Sequence, residues 1–83
     1  MSKPKGKHKY KQLTDLKVRR LTETGRYGDG AGLYLVVRPN GSKSWLLRIT
    51  INKKRRDITL GGYPTVTLSM AREQAMLIRR QIR

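Results

Sequence analysis

The sequence predicts a small α+β domain: a three-stranded antiparallel β-sheet, with room for a short extra strand, packed on a C-terminal α-helix and preceded by a flexible basic arm. Three observations predict it. Between residues 33 and 60, apolar side chains alternate with others in three runs, the two-residue period of a half-buried strand. Short polar turns separate the runs, and they leave no room for the crossover that parallel strands need. From Leu68 onward the apolar residues recur three and four apart, the spacing of one helical face.

The elements follow in order. Residues 1–12, MSKPKGKHKYKQ, hold Lys3, Lys5, Lys7, Lys9 and Lys11 at every second position. Pro4 and Gly6 disfavour helix and nothing in the segment builds a core, so it reads as a flexible arm. Residues 13–83 form the domain. Its first element is a short helical turn over residues 13–21, with Thr14 as N-cap and Asp15 in the first turn. Leu13, Leu16 and Leu21 supply its apolar contacts, with Val18 as a further candidate. The Gly-rich stretch 25–32 has room for a short edge strand between turns. Residues 33–38, LYLVVR, make the first clear strand. Asn40-Gly41, the best short hairpin signal, turns the chain into a second strand over 44–51. Asn52-Lys53-Lys54-Arg55 is a polar turn into a third, 56–60, closed by Gly61-Gly62. Thr67 or Ser69 caps the final helix. Its stripe is Leu68, Ala71, Ala75, Ile78 and Ile82, with Arg72, Arg79, Arg80 and Arg83 largely off it.

Alternation then sorts the sheet faces. Leu33, Leu35, Val37, Trp45, Leu47, Ile49, Ile51, Ile58 and Leu60 share the face that the helix covers, forming one small core. The other face carries Tyr34, Val36, Arg38, Leu46, Arg48, Thr50, Arg55, Asp57 and Thr59. One helix covers one face only, so this second face meets water or a partner. It mixes an aromatic ring, aliphatics and arginines, with Asp57 as its one acid. An antiparallel sheet laid into a DNA major groove uses such residues: arginines reach guanine edges or phosphates, and apolar groups touch thymine methyls.

Composition narrows the function. The chain has 83 residues, 20 Lys plus Arg against 5 Asp plus Glu, and a net charge of +15. That length allows one domain and only a modest core. With Cys 0 and His 1, neither a disulfide nor a structural zinc site supports it. No apolar run reaches the ~18 residues of a membrane helix. No apolar stretch follows the basic N-terminus, so it is not a secretory signal. The charge points to polyanions. Five of the excess charges lie in the arm and +10 remain in residues 13–83.

Other motifs carry little. Gly28-Asp29-Gly30-Ala31-Gly32 lacks the spacing of a dinucleotide loop and precedes a strand, so turn glycines explain it. Asn40-Gly41-Ser42 matches a glycosylation sequon that a hairpin turn accounts for. His8 has no acid or cysteine near it. Asp15, Asp29 and Asp57 are scattered, with no pair for general acid–base work. Nothing activates Tyr10, Tyr27, Tyr34 or Tyr63 as a nucleophile. No catalytic residue, metal site or cofactor is expected.

Several stretches together resemble a known family. They are Leu13 to Val18 (LTDLKV), Tyr27 to Val37 (YGDGAGLYLVV) and Asn40 to Arg48 (NGSKSWLLR), then Thr59 to Pro64 (TLGGYP) and Leu68 to Ala75 (LSMAREQA). In order and spacing they look like the amino-terminal arm-type DNA-binding domain of prophage and genomic-island integrases, which are tyrosine recombinases. The resemblance implies a three-stranded sheet, often with a short extra strand, on a C-terminal helix. It implies that the sheet enters the major groove of arm-type sites flanking the core of an attachment site. Full-length relatives continue into core-binding and catalytic domains, where the catalytic tyrosine lies. The chain stops at Arg83, so it is expected to bind DNA and cut nothing. Two departures stand out: the basic residues before Leu13, and Asn52-Lys53-Lys54 where relatives often place a glycine.

The expected function is double-stranded DNA binding as the N-terminal domain of a site-specific recombinase, in the bacterial cytoplasm and on the nucleoid when bound. Tyr34, Arg38, Leu46, Arg48, Thr50 and Thr59 are the candidate contacts on the sheet face. Lys43, Lys53, Lys54, Arg55 and Arg56 are the candidate phosphate contacts, and Lys3, Lys5, Lys7, Lys9 and Lys11 those of the arm. The partners are duplex DNA and the remaining domains of the parent integrase, with no membrane and no small-molecule ligand. Two other classes fit the composition: a structured-RNA-binding protein, and a protein-interaction module docking through Tyr34, Val36 and Leu46.

Overall fold

A computed structural model describes residues 12–82. The arm lysines Lys3, Lys5, Lys7, Lys9 and Lys11, and Arg83, which the sequence expected on the final helix, lie outside the described residues. The elements run α1 (Asp15–Arg20), β1 (Gly25–Gly30), β2 (Leu33–Val37), β3 (Lys43–Ile51), β4 (Lys54–Tyr63) and α2 (Leu68–Gln81). The sheet is antiparallel in the order β1-β2-β3-β4. It therefore has four strands rather than three. The added strand is the Gly-rich stretch, whose glycines turn the chain at both ends while Arg26 and Tyr27 pair with Val36 and Leu35. Asp29 bulges out of the register between Gly28 and Gly30.

The caps are local and form as the sequence dictates. The Thr14 hydroxyl accepts from the Lys17 N–H at 3.1 Å, and the Thr67 hydroxyl from the Met70 N–H at 3.2 Å. The hairpin turns differ in kind. Gly41 N–H donates to the Arg38 carbonyl at 2.8 Å and Arg38 N–H to the Ser42 carbonyl at 2.9 Å, so three residues, Pro39, Asn40 and Gly41, bridge the bonded pair Arg38 and Ser42 between β2 and β3. Only Gly41 takes a positive φ there, of 91°, so Asn40-Gly41 is not a two-residue turn. Such a turn occurs instead between β3 and β4, where Asn52 and Lys53 have φ of 52° and 66°. Gly61-Gly62 does not end β4. Leu60 is an extra residue in the register, since Leu46 pairs with Thr59 and Trp45 with Gly61. A Cβ on Gly61 would stand 2.6 Å from a Val66 methyl, so the glycine lets the loop after β4 close onto the sheet.

The core lies between α2 and the sheet face bearing Leu33, Leu35, Val37, Trp45 and Leu47, all fully buried. It divides into two clusters. One gathers Leu13, Val18, β2, Trp45, Val66, Leu68 and Ala71; the other holds Leu47, Ile49 and Ala75. Trp45 Nε1 donates to the Val66 carbonyl at 2.7 Å, which satisfies its one polar group. Leu16 and Ile82 depart from expectation, at 45% and 38% exposed. Leu16 sits on the outer side of a helix of 6 residues whose one inward position is Val18. Ile82 lies past the end of α2, at its C-cap.

Candidate nucleic-acid interface

The second sheet face is built in rows by the register. Tyr34, Leu46 and Thr59 form one row, Arg48 and Asp57 the next, and Thr50 and Arg55 the last before the turn. Directly paired residues in antiparallel strands share a face. Tyr34, Val36, Leu46 and Arg48 are half-buried, while Thr50, Arg55, Asp57 and Thr59 are exposed. Arg38 is exposed just past β2, at the opposite end from Asn52-Lys53. The structure therefore brings Tyr34, Leu46, Arg48, Thr50 and Thr59 together and leaves Arg38 at the margin.

Arg48 is the most constrained of these. Its Nε donates to Asp57 Oδ1 at 3.1 Å, and its guanidinium carbon lies 5.6 Å from the centre of the Tyr34 ring. The hydrogen bond from Arg48 holds the Asp57 carboxyl below the usual carboxylate range. Partial burial opposes this, and the charges of Arg48, Arg26 and Arg55 add to it. The same hydrogen bond raises the Arg48 guanidinium.

The phosphate candidates divide. Lys53, Lys54, Arg55 and Arg56 are exposed at the β3–β4 turn, and a shallow cleft of about 520 Å³, lined by Lys54 to Ile58, accompanies this end of β4. Arg56 pairs with Ile49, so it stands on the helix-bearing side of the sheet, opposite to Arg55. Lys43 stands apart from the face altogether. Its ammonium donates to the Val18 carbonyl at 2.8 Å and the Arg19 carbonyl at 3.1 Å, and lies 5.6 Å from the Tyr63 ring centre. It caps the C-terminus of α1, where the helix dipole favours a cation.

Two further residues matter that the sequence did not single out. Arg26 on β1 pairs with Val36, which puts an exposed arginine on the same face. Its signal was the short edge strand; once that strand pairs with β2, Arg26 and Val36 are neighbours. Asp29 is the other. It is 3% exposed and accepts from Arg72 through both carboxylate oxygens, at 2.8 and 2.9 Å. Arg72, expected off the packed stripe, thus reaches back to β1, and Arg79 likewise donates to the Ala31 carbonyl. These two arginines hold the fold and are not part of the open face.

Among the described residues, no group of three or more His, Cys, Asp or Glu is placed to hold a metal ion, and no helix is long and apolar enough to cross a membrane.

The sequence model of the arm DNA-binding domain family matches residues 13–83. The integrase of Shigella phage Sf6 and the prophage integrase IntS of Escherichia coli (strain K12) are each 46% identical over 54 residues, covering 65% of this chain. Prophage integrase IntZ of the same strain is 48% identical over 44 residues, 53% of the chain. The chain spans only 14% of the length of the first two relatives and 11% of the third. A family match over nearly all of the described residues, on a meander with one open basic face, places the chain in the arm DNA-binding domain family.

Proposed function

We propose that the open sheet face binds double-stranded DNA in the major groove at arm-type sites, as the N-terminal domain of a site-specific recombinase. The observation that carries this reading is the face itself: Arg26, Arg48 and Arg55 stand among Tyr34, Leu46, Thr50 and Thr59, with Asp57 as the acid beside them. Strands lie about 4.8 Å apart, so β2 to β4 span about 10 Å, which suits a groove about 12 Å wide. Arg48, Thr50, Tyr34 and Thr59 lie toward the bases. Arg38, Lys53, Lys54 and Arg55 lie toward the phosphates at the two ends, and the arm lysines add affinity with little choice of sequence. The domain binds; strand cleavage belongs to other domains of the parent recombinase.

An amide chemical-shift titration with a short duplex tests this. Shifts concentrated on β2 to β4 and the 52–56 turn support it, and shifts confined to α2 overturn it. Salt dependence supplies a second measure, since each phosphate-neutralising cation contributes about −0.9 to the slope of log K against log salt. Binding that survives high salt points instead to a protein partner. Preference for duplex RNA over duplex DNA points to RNA, whose deep, narrow major groove excludes a sheet.

A further inference from the structure

We infer that Arg48 reads a guanine with both of its terminal nitrogens, and that Asp57 and Tyr34 are positioning residues that hold the guanidinium for it. The inference rests on the major-groove reading above and names the base that reading leaves open.

Asp57 takes only Nε of Arg48, through Oδ1. The two terminal nitrogens have no protein partner among the described residues. They form the fork that matches guanine O6 and N7, both acceptors, with two parallel hydrogen bonds. Adenine presents a donor where guanine has O6, and so loses one of the two.

The supports bracket Arg48 across the sheet. Tyr34 lies on β2 and Asp57 on β4, with Arg48 on the strand between them. The ring holds one side of the cation and the carboxylate the other. An arginine free in water gives up rotamer freedom when it docks; one already held loses less. The Arg48 and Asp57 side chains keep 29% and 40% of their exposure, so the pair is restrained without being sealed from a ligand.

Asp57 also selects against the other use of an arginine. It faces Arg48 on the same surface, so a phosphate brought over Arg48 would meet a carboxylate next to it. That repulsion disfavours backbone contact there and leaves a neutral base edge as the better partner. The basic turn at Lys53 and Lys54, without an acid in it, carries no such selection.

The test begins with duplexes enriched from a randomised pool by the full 83-residue chain. Each guanine of the enriched sequence is replaced in turn by 7-deazaguanine, which keeps O6 and removes the N7 acceptor. One position should weaken wild-type binding about tenfold, as expected for half of a two-bond contact. Arg48→Ala should bind the guanine and 7-deazaguanine duplexes equally. Asp57→Ala should lose most of the discrimination while binding random duplex at least as well as wild type. Asp57→Asn, which keeps an acceptor for Nε, should recover part of it. Tyr34→Phe should discriminate as wild type does, and Tyr34→Leu less well.

Indifference of the wild type to 7-deazaguanine at every position, or an enriched sequence without guanine, overturns the inference and leaves DNA binding standing. Full discrimination in Asp57→Ala and Asp57→Asn overturns the positioning role. A chain that enriches no sequence overturns base reading by the face, and this inference with it.

Discussion

Asp29 and Arg72 are 43 positions apart in sequence and meet in a two-pronged ion pair that joins β1 to α2. Asp29 Oδ1 also accepts from the Leu13 N–H at 2.9 Å, and Arg72 donates to the Leu13 carbonyl at 2.9 Å. One carboxylate and one guanidinium therefore fasten the start of the domain, its edge strand and its long helix. The hydrogen bonds that Arg72 donates to Asp29 raise its guanidinium pKa above the ordinary value, against the effect of partial burial.

Removing one member should cost more than removing both. Asp29→Asn or Arg72→Ala leaves a buried group without its partner, and each should destabilise the domain by about 2–4 kcal/mol, below the full buried-pair value because Arg72 is partly exposed. The paired change Asp29→Leu with Arg72→Met should recover part of that loss. Urea unfolding of the three variants measures it. Equal losses in the singles and the pair would mean that the charges do not act together.

Lys53→Gly separates stability from binding. Lys53 sits at φ 66° in a turn that favours glycine. The substitution should stabilise the domain by up to about 1 kcal/mol, since an L-residue is strained there by about that much. It should also flatten the salt dependence of DNA binding by about 0.9 if Lys53 meets a phosphate. A variant that is more stable with an unchanged salt slope removes Lys53 from the phosphate set.

Gly32→Ala should be poorly tolerated. Gly32 has φ 88°, and a Cβ there would press into the carbonyl oxygen of Arg48. Gly32 and Arg48 also share a backbone hydrogen bond of 2.8 Å, so the two strands cannot part without losing it. A loss of roughly 1–3 kcal/mol is expected from the strained backbone alone, read as a fall in the thermal midpoint. DNA binding should weaken with it, because the Arg48 backbone is what would move.

Acid should loosen the Arg48–Asp57 contact in a defined direction. The folded-state pKa of Asp57 is depressed, so its contribution is present above the ordinary carboxylate value and is lost as pH falls through the depressed one. Thermal midpoints measured downward from neutral pH should fall less in Asp57→Asn than in wild type across that window. Identical pH profiles would mean that the pair contributes nothing to stability, as many exposed pairs do not.

What the sequence made legible follows the range of each interaction. Thr14 and Thr67 cap helices through bonds to the third residue on, so the sequence locates them. The alternation along β2 and β3 fixes which of Tyr34, Leu46 and Arg48 share a face, because the period is a property of the backbone. The remainder depends on what folds against what. Asp29 looked like a stray acid in a glycine stretch; nothing near it in sequence announces Arg72. Lys43 looked like any surface lysine, and only the return of α1 onto the start of β3 gives its ammonium two carbonyls. Leu60 is an extra residue in β4, and Gly61 beside it makes room for Val66, a contact set by the loop that follows.

The outer edge of β4 has a consequence beyond ligand binding. Among the described residues, β1 is partly covered where Gln12 N–H meets the Asp29 carbonyl, and β4 is covered near its end where Val66 N–H meets the Gly62 carbonyl, which leaves the first half of β4 as the open edge. Such an edge is a template for a second copy to pair with. Lys54, Arg55 and Arg56 lie along it, and like charges there repel an approaching strand. The cations proposed to meet a polyanion should thus also keep the free protein from self-assembly, and neutralising them should trade lost affinity for a tendency to aggregate.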